Sequence, residues 1–340
     1  MSLLGAEPAP NAFRYSGIPG HVESYFWRAN DPAAPRALWL KATVLAPLEG
    51  PAVAESWLIW FDGAHDRKLA AKLTWPMSSA LFPKDGSDEI RLGDWRWSLG
   101  GTGSAEGSLA VPKGTARFNL TWTREPSAQG EPLSIFPWRL LREGPFPKSK
   151  LLTPCPWLRV EGELQLDGEK ISLSGWSGMQ GHNWGKSHAH EYAWGQCLFP
   201  AAGAEPEAMV EGFTGRILVA GRPSPRFSAL VVRRGSREYR FDRTFDSWRQ
   251  EATLETDRWT VRLHGGDGEV RLRMDATGRP MACLGYMNPN GKLSYCFNSK
   301  LADTLLEVHP RGEAAFTCRS AHGGALEFLR GQSDPRFDVV

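Results

Sequence analysis

The stretch 160-VEGELQLDGEKISLSG-175 decides the fold. Val160, Leu164 and Leu166 alternate with polar residues, Asp167-Gly168 follows, and Ile171 and Leu173 resume the alternation. A period of two places the apolar side chains on one face of a strand, and Asp-Gly between two such runs is a two-residue turn whose twist suits a hairpin. The stretch therefore predicts a half-buried antiparallel hairpin.

The same grammar recurs outward from it. In 116-ARFNLTWT-123, Ala116, Phe118, Leu120 and Trp122 share one face, and Arg117, Asn119, Thr121 and Thr123 share the other. In 258-RWTVRLHGGDGEVRLRM-274, Trp259, Val261 and Leu263 alternate, Gly265 to Gly268 turn, and Val270, Leu272 and Met274 resume. No amphipathic helix of more than a few turns and no fixed-period repeat interrupts the pattern. Short strands joined by Gly, Pro, Asp and Asn turns over so long a chain predict an all-β protein whose antiparallel sheets close or stack, because closure removes exposed edges. With 340 residues and 41% hydrophobic content, the chain is long enough for two domains. The Pro-rich segment from Gly144 to Trp157 is one candidate linker. The hairpin near Val160 leads straight on into a dense polar-aromatic stretch, so the boundary is placed at Gly185, giving domains 12–185 and 186–340.

The charge balance, 40 basic against 38 acidic residues for a net +2, offers no field to gather nucleic acid or an anionic membrane. The N-terminal 1-MSLLGAEPAPNAFRY-15 lacks the basic and apolar regions of a secretory signal, and no run reaches the roughly 20 apolar residues of a membrane helix. A cytoplasmic protein without stable membrane insertion is expected. The 5 cysteines, odd in number and without a CxxC pair, fit reduced buried thiols. Nothing in the sequence sets an oligomeric state. The 15 tryptophans suit either a Trp-rich core or a pocket for a hydrophobic ligand.

The dense stretch is 178-GMQGHNWGKSHAHEYAWG-195. A metal site, an acid–base site and the rim of an aromatic cavity are its three readings. His188 and His190, two apart, share a strand face, but Glu191 points to the other face and spacing supplies no third ligand. No metal and no cofactor are therefore expected, and the other two readings stay open. Protonating an alkene, or folding a polyene for cyclisation, needs an apolar chamber, a buried acid and aromatic faces that stabilise positive charge. Glu191, between His190 and Tyr192, and Asp62, closing 57-WLIWFDG-63 beside Trp60, are the candidate acids, with His182 as the candidate proton-transfer partner. Asn183, Trp184, Tyr192, Trp194 and Trp60 are the candidate substrate-binding residues. Each has a plain structural reading as well: a solvated strand-end carboxylate, an Asn bonding its own turn, a Trp plugging a barrel.

The segment GMQGHNWG, with YAWG after it, resembles the motif of the carotenoid 1,2-hydratase (hydroxyneurosporene synthase) and tocopherol-cyclase-like superfamily. The stretches 21-HVESYFWRANDPAAPRALWLKATVLAP-47 and 55-ESWLIWFDG-63 are similar to first-barrel strands of such proteins. The resemblance implies two tandem antiparallel lipocalin-like (calycin-like) β-barrels. In the hydratase pattern a His-Asp pair precedes His-Asn-Trp-Gly, whereas Gln180-Gly181 stand here, so the acid the resemblance implies is absent. Two functions follow as expectations. One is a cyclase, hydratase or isomerase acting on a hydrophobic terpenoid or polyketide-like substrate, since orientation alone lowers a cyclisation barrier. The other is a non-catalytic carrier of a hydrophobic small molecule. A structural protein with solid barrels is the third and weakest reading.

Overall fold

The hairpin of Val160–Gly175 forms as the pattern predicts: Gln165 pairs with Lys170 and Leu166 with Glu169. The turn residues Asp167 and Gly168 have φ of 50° and 85°, the left-handed backbone that a tight hairpin of this kind requires. Residues 8–84, 87–112, 114–201, 207–219, 221–243 and 250–340 are described in the computed structural model, and the first seven residues of the N-terminal stretch lie outside them.

Helix is confined to a few short turns among the described residues, and the chain folds into two large antiparallel sheets in tandem, lipocalin-like, one of them a nearly closed barrel. In the first sheet, strand His21–Asn30 pairs on one side with Arg36–Ala46, then Val53–Asp62 and Arg67–Pro76. On the other side it pairs with Trp176–Gly185, followed by Ser149–Leu166, Gly114–Arg124 and Thr102–Val111. The Pro-rich segment is thus partly drawn into this sheet. Its strand slips register between Leu152 and Cys155 and again between Cys155 and Leu158, where Pro154 and Pro156 have no N–H for the ladder. The second sheet is built on Glu191–Phe199, flanked by Ala208–Arg216 and Phe316–Arg330, with Leu293–Pro310 beyond. The chain passes from one sheet to the other over residues 186–190.

Four apolar clusters organise the molecule, the fourth, Trp157 with Leu198, Met209 and Val231, sharing Leu151 and Phe213 with the third. Trp27, Trp60, Trp95, Trp97, Trp122 and Trp176 help fill the first barrel, and Trp259, Phe297 and Phe328 lie in the core of the second. The third joins the barrels: Phe26, Trp39, Trp57 and Phe61 pack against Trp194, Leu284, Leu301 and Leu329. Strands His21–Asn30 and Arg36–Ala46 are therefore buried on both faces, with Tyr25, Trp27, Leu38 and Leu40 inside the barrel and Phe26 and Trp39 in the interface. Simple alternation does not describe such strands, because no face meets water.

Polar groups also cross the interface. The Arg28 guanidinium donates to the side chains of Asn30 and Gln196, and Gln196 Nε2 donates to the Pro156 carbonyl at 2.9 Å. Thr153 Oγ1 donates to Glu211 Oε1 at 2.7 Å. Buried polar groups matched in this way specify how the two barrels dock.

Candidate site between the two barrels

A cavity of about 120 Å³ opens where the third cluster meets solvent. The first barrel contributes Phe26, Trp39, Lys41, Asn183 and Trp184, and the second Glu191, Tyr192, Trp194, Phe213 and Tyr286. Strand parity sets this arrangement, since residues two apart share a face. Trp39 and Lys41 both point away from the barrel interior, as do Tyr192 and Trp194.

His182 lies behind the cavity wall. Its ring is completely buried, stacked on Tyr25 with centroids 4.2 Å apart and tilted against Trp184 at 4.7 Å. Nε2 is 2.9 Å from Glu23 Oε1 and Nδ1 is 2.9 Å from the Pro10 carbonyl. Glu23 also accepts from the Arg14 and Tyr15 backbone N–H groups and from the Tyr25 hydroxyl. Burial works to raise the Glu23 carboxyl, but the His182 and His21 bonds and the Arg14 amide outweigh it and hold the group down to about 2. This buried cluster ties the N-terminal segment to strands His21–Asn30 and Trp176–Gly185 and backs the Trp184 indole, which Arg14 covers at 4.7 Å.

Gly181 stands where the hydratase pattern has its acid. A Cβ there would come within 2.1 Å of the Phe26 ring, which pairs across the ladder and lines the cavity. An aromatic ring thus fills the space an acidic side chain would need.

Glu191 sits at the cavity edge with Arg226 Nη2 2.7 Å from Oε1 and Arg216 Nε 3.9 Å from Oε2. Asn183, Trp184, Tyr192 and Trp194 line the same cavity. Trp60 and Asp62 are elsewhere: they border a depression of about 850 Å³ among the hairpin turns at one end of the first barrel, where Asp62 Oδ2 meets His65 Nδ1 at 2.7 Å. His188 stacks on Tyr286 at 5.1 Å, with Nδ1 3.1 Å from Asn288 Oδ1. Burial, reinforced by the nearby Lys41 charge, pushes its imidazole down to about 3 and keeps it neutral. Among the described residues no three His, Cys, Asp or Glu side chains gather as a metal site.

Several groups escaped the sequence reading. Glu211 is buried behind Trp194, whose Nε1 donates to its Oε1 at 3.3 Å, and burial raises its carboxyl to about 7. Glu327, in the cavity lining, accepts from Lys300 Nζ at 2.6 Å and Asn298 Nδ2 at 3.1 Å. Lys41 lies under Tyr286 with Nζ 3.7 Å from the ring centroid. A lysine inside the apolar run 37-ALWLKATVLA-46 was the one available signal, since Leu38, Leu40, Ala42 and Val44 claim the barrel face and leave Lys41 beside Trp39.

Fold and site together define a tandem lipocalin-like β-barrel protein with an aromatic cavity between its barrels. No protein-family model matches the chain. An uncharacterised protein of Mycobacterium tuberculosis is 22% identical over 328 residues, covering 95% of this chain and 90% of its own length. Among solved structures, a protein described as an AttH of Nitrosomonas europaea superposes with a TM-score of 0.57 at 12% identity, over 97% of this chain and 98% of its own. Kievitone hydratase from Nectria haematococca gives 0.55 at 11%, over 90% and 88%. CghA solved with Sch210972 gives 0.52 at 10%, over 91% and 88%. At these identities the likeness establishes the shared fold.

Proposed function

We propose that this protein is a hydratase- or cyclase-type enzyme that folds a hydrophobic terpenoid or polyketide-like substrate in the cavity between its barrels. The observation that carries the reading is the composition of the cavity wall: both barrels build it, with Trp39, Trp184, Trp194, Tyr192 and Tyr286 as its aromatic faces and Glu191, Glu327, Lys41 and Lys150 as charged groups set among them. The similarity to kievitone hydratase and to CghA supports the same reading.

Such a chamber acts mainly by excluding water and holding an extended substrate in a reactive shape, which removes several kcal/mol of barrier without a dedicated nucleophile. Aromatic faces stabilise positive charge that develops along an alkene. Glu191, at the cavity edge, is the proposed proton donor or acceptor. His182 is a positioning residue that acts through its contact with Trp184. Asp62 and Trp60, at the far depression, take no part.

A second reading, a carrier without turnover, is favoured by one observation: Phe26 occupies the space of the acid found in the hydratase pattern. Incubation with a panel of prenylated phenols and linear polyenes, with products read by mass spectrometry, separates the two. Turnover that falls at least about tenfold in Glu191→Gln while binding persists supports the enzyme. Binding without conversion across the panel supports the carrier, and absence of both removes the cavity from either role.

A further inference from the structure

We infer that the ligand of the inter-barrel cavity carries an anionic oxygen head group, held by Lys41, on an otherwise apolar framework. This rests on the cavity being the ligand site and adds the chemical class of what it takes.

Lys41 is 3% exposed, and its side chain has no hydrogen-bond or ion-pair partner among the described residues. The nearby carboxylates are committed elsewhere: Glu327 to Lys300 at 2.6 Å and Glu55 to Lys72 at 3.2 Å. What faces the ammonium is the Tyr286 ring at 3.7 Å and the edge of the interface around Trp39, whose centroid is 5.9 Å away. Cation–π contact compensates only part of the hydration an ammonium loses on burial. Trp39, two residues earlier on the same face and also in the lining, has its indole N–H buried with no acceptor among the described residues. A cation and a neutral donor thus stand side by side without an acceptor. An oxyanion supplies what both lack, and the surrounding aromatic wall suits the apolar remainder.

The protonation of Lys41 follows the same geometry. Burial lowers its ammonium to about 8, the neighbouring Lys300 pushes the same way, and Cys296, Glu327 and Glu55 oppose. His188, stacked on the same Tyr286 ring, is neutral and adds no charge at pH 7. Lys150 also lines the cavity, with its ammonium donating to the Leu141 carbonyl at 2.6 Å and burial lowering it to about 8. Arg216, in the lining too, is the third cation.

Two fluorescent probes test the inference: 1-anilinonaphthalene-8-sulfonate and the neutral N-phenyl-1-naphthylamine share one aromatic framework and differ in the sulfonate. The full-length protein should bind the sulfonate at least about tenfold more tightly than the neutral probe at pH 7, the factor expected of a charge-assisted contact in a buried site. Lys41→Met should abolish that preference through loss of affinity for the sulfonate, and Lys41→Arg should keep it. In wild type the preference should decline between pH 7.5 and about 9 as Lys41 loses its proton. Equal affinity for both probes overturns the anion inference and leaves the cavity reading standing. A preference that survives in Lys41→Met overturns it in favour of Lys150 or Arg216. Failure of both probes to bind overturns the cavity reading itself. Should Lys41→Met not fold, labelling of wild type by trinitrobenzenesulfonate at pH 8 decides: protection of Lys41 by the sulfonate probe and not by the neutral one supports the inference, and equal protection overturns it.

Discussion

Replacing Glu23 by Gln tests the buried cluster behind Trp184. Glu23 is fully buried and accepts bonds from two backbone amides, two histidines and a tyrosine hydroxyl. Its carboxyl moves from an ordinary 4.5 to about 2 on folding. At about 1.4 kcal/mol per unit, this difference corresponds to roughly 3 kcal/mol of stability at neutral pH. The sign follows from the depression: the contribution is complete above the unfolded value near 4.5 and is lost as pH falls through the folded value near 2. By pH 3 roughly 2 kcal/mol of it should be gone. Urea unfolding followed by tryptophan fluorescence at pH 7, 5, 4 and 3 should show Glu23→Gln about 3 kcal/mol less stable than wild type at pH 7, with the gap narrowing steadily below pH 4.5. A variant within about 0.5 kcal/mol of wild type at pH 7, or a gap that stays constant down to pH 3, would refute the cluster as an ionic anchor.

Other consequences follow from the same geometry. Trp194→Ala removes a side chain that joins the barrels and walls the cavity, and should cost about 3–5 kcal/mol in urea melts while abolishing probe binding. Gly181→Ala should force the Phe26 ring aside and cost about 1–3 kcal/mol, with a measurable loss of affinity for the neutral probe. Gly168→Val, at a turn with open space around the Cβ position but φ of 85°, should cost about 1–2 kcal/mol through backbone strain alone and leave ligand binding intact. His188, whose imidazole burial holds down to about 3, favours the fold above its ordinary 6.5 and ceases to do so on acidification toward 3. Thermal unfolding of His188→Phe should therefore depend less on pH between 6.5 and 4 than that of wild type.

The sequence by itself determined the strands, because strand periodicity and turn chemistry are local. The Val160–Gly175 hairpin, the alternating face of Ala116–Thr123 and the turn between Gly265 and Gly268 follow from residues adjacent in the chain. The position of the dense stretch was legible too, and Asn183, Trp184, Glu191, Tyr192 and Trp194 do border one cavity. What the sequence left open was which side of a two-sided strand meets which partner. Trp60 and Asp62 share aromatic company with Trp57 and Phe61 in sequence, yet strand parity and strand end send them to the barrel interior and its far rim. Lys41 and Tyr286, far apart in the chain, meet only because the barrels dock along Phe26, Trp39 and Trp57. Burial at that interface pushes the Lys41 ammonium down to about 8, the His188 imidazole down to about 3 and the Glu211 carboxyl up to about 7, and burial is a property of the packed chain rather than of any segment. Residue types supplied the chemistry, and the packing of one barrel on the other decided which of those residues share a site and in what charge state.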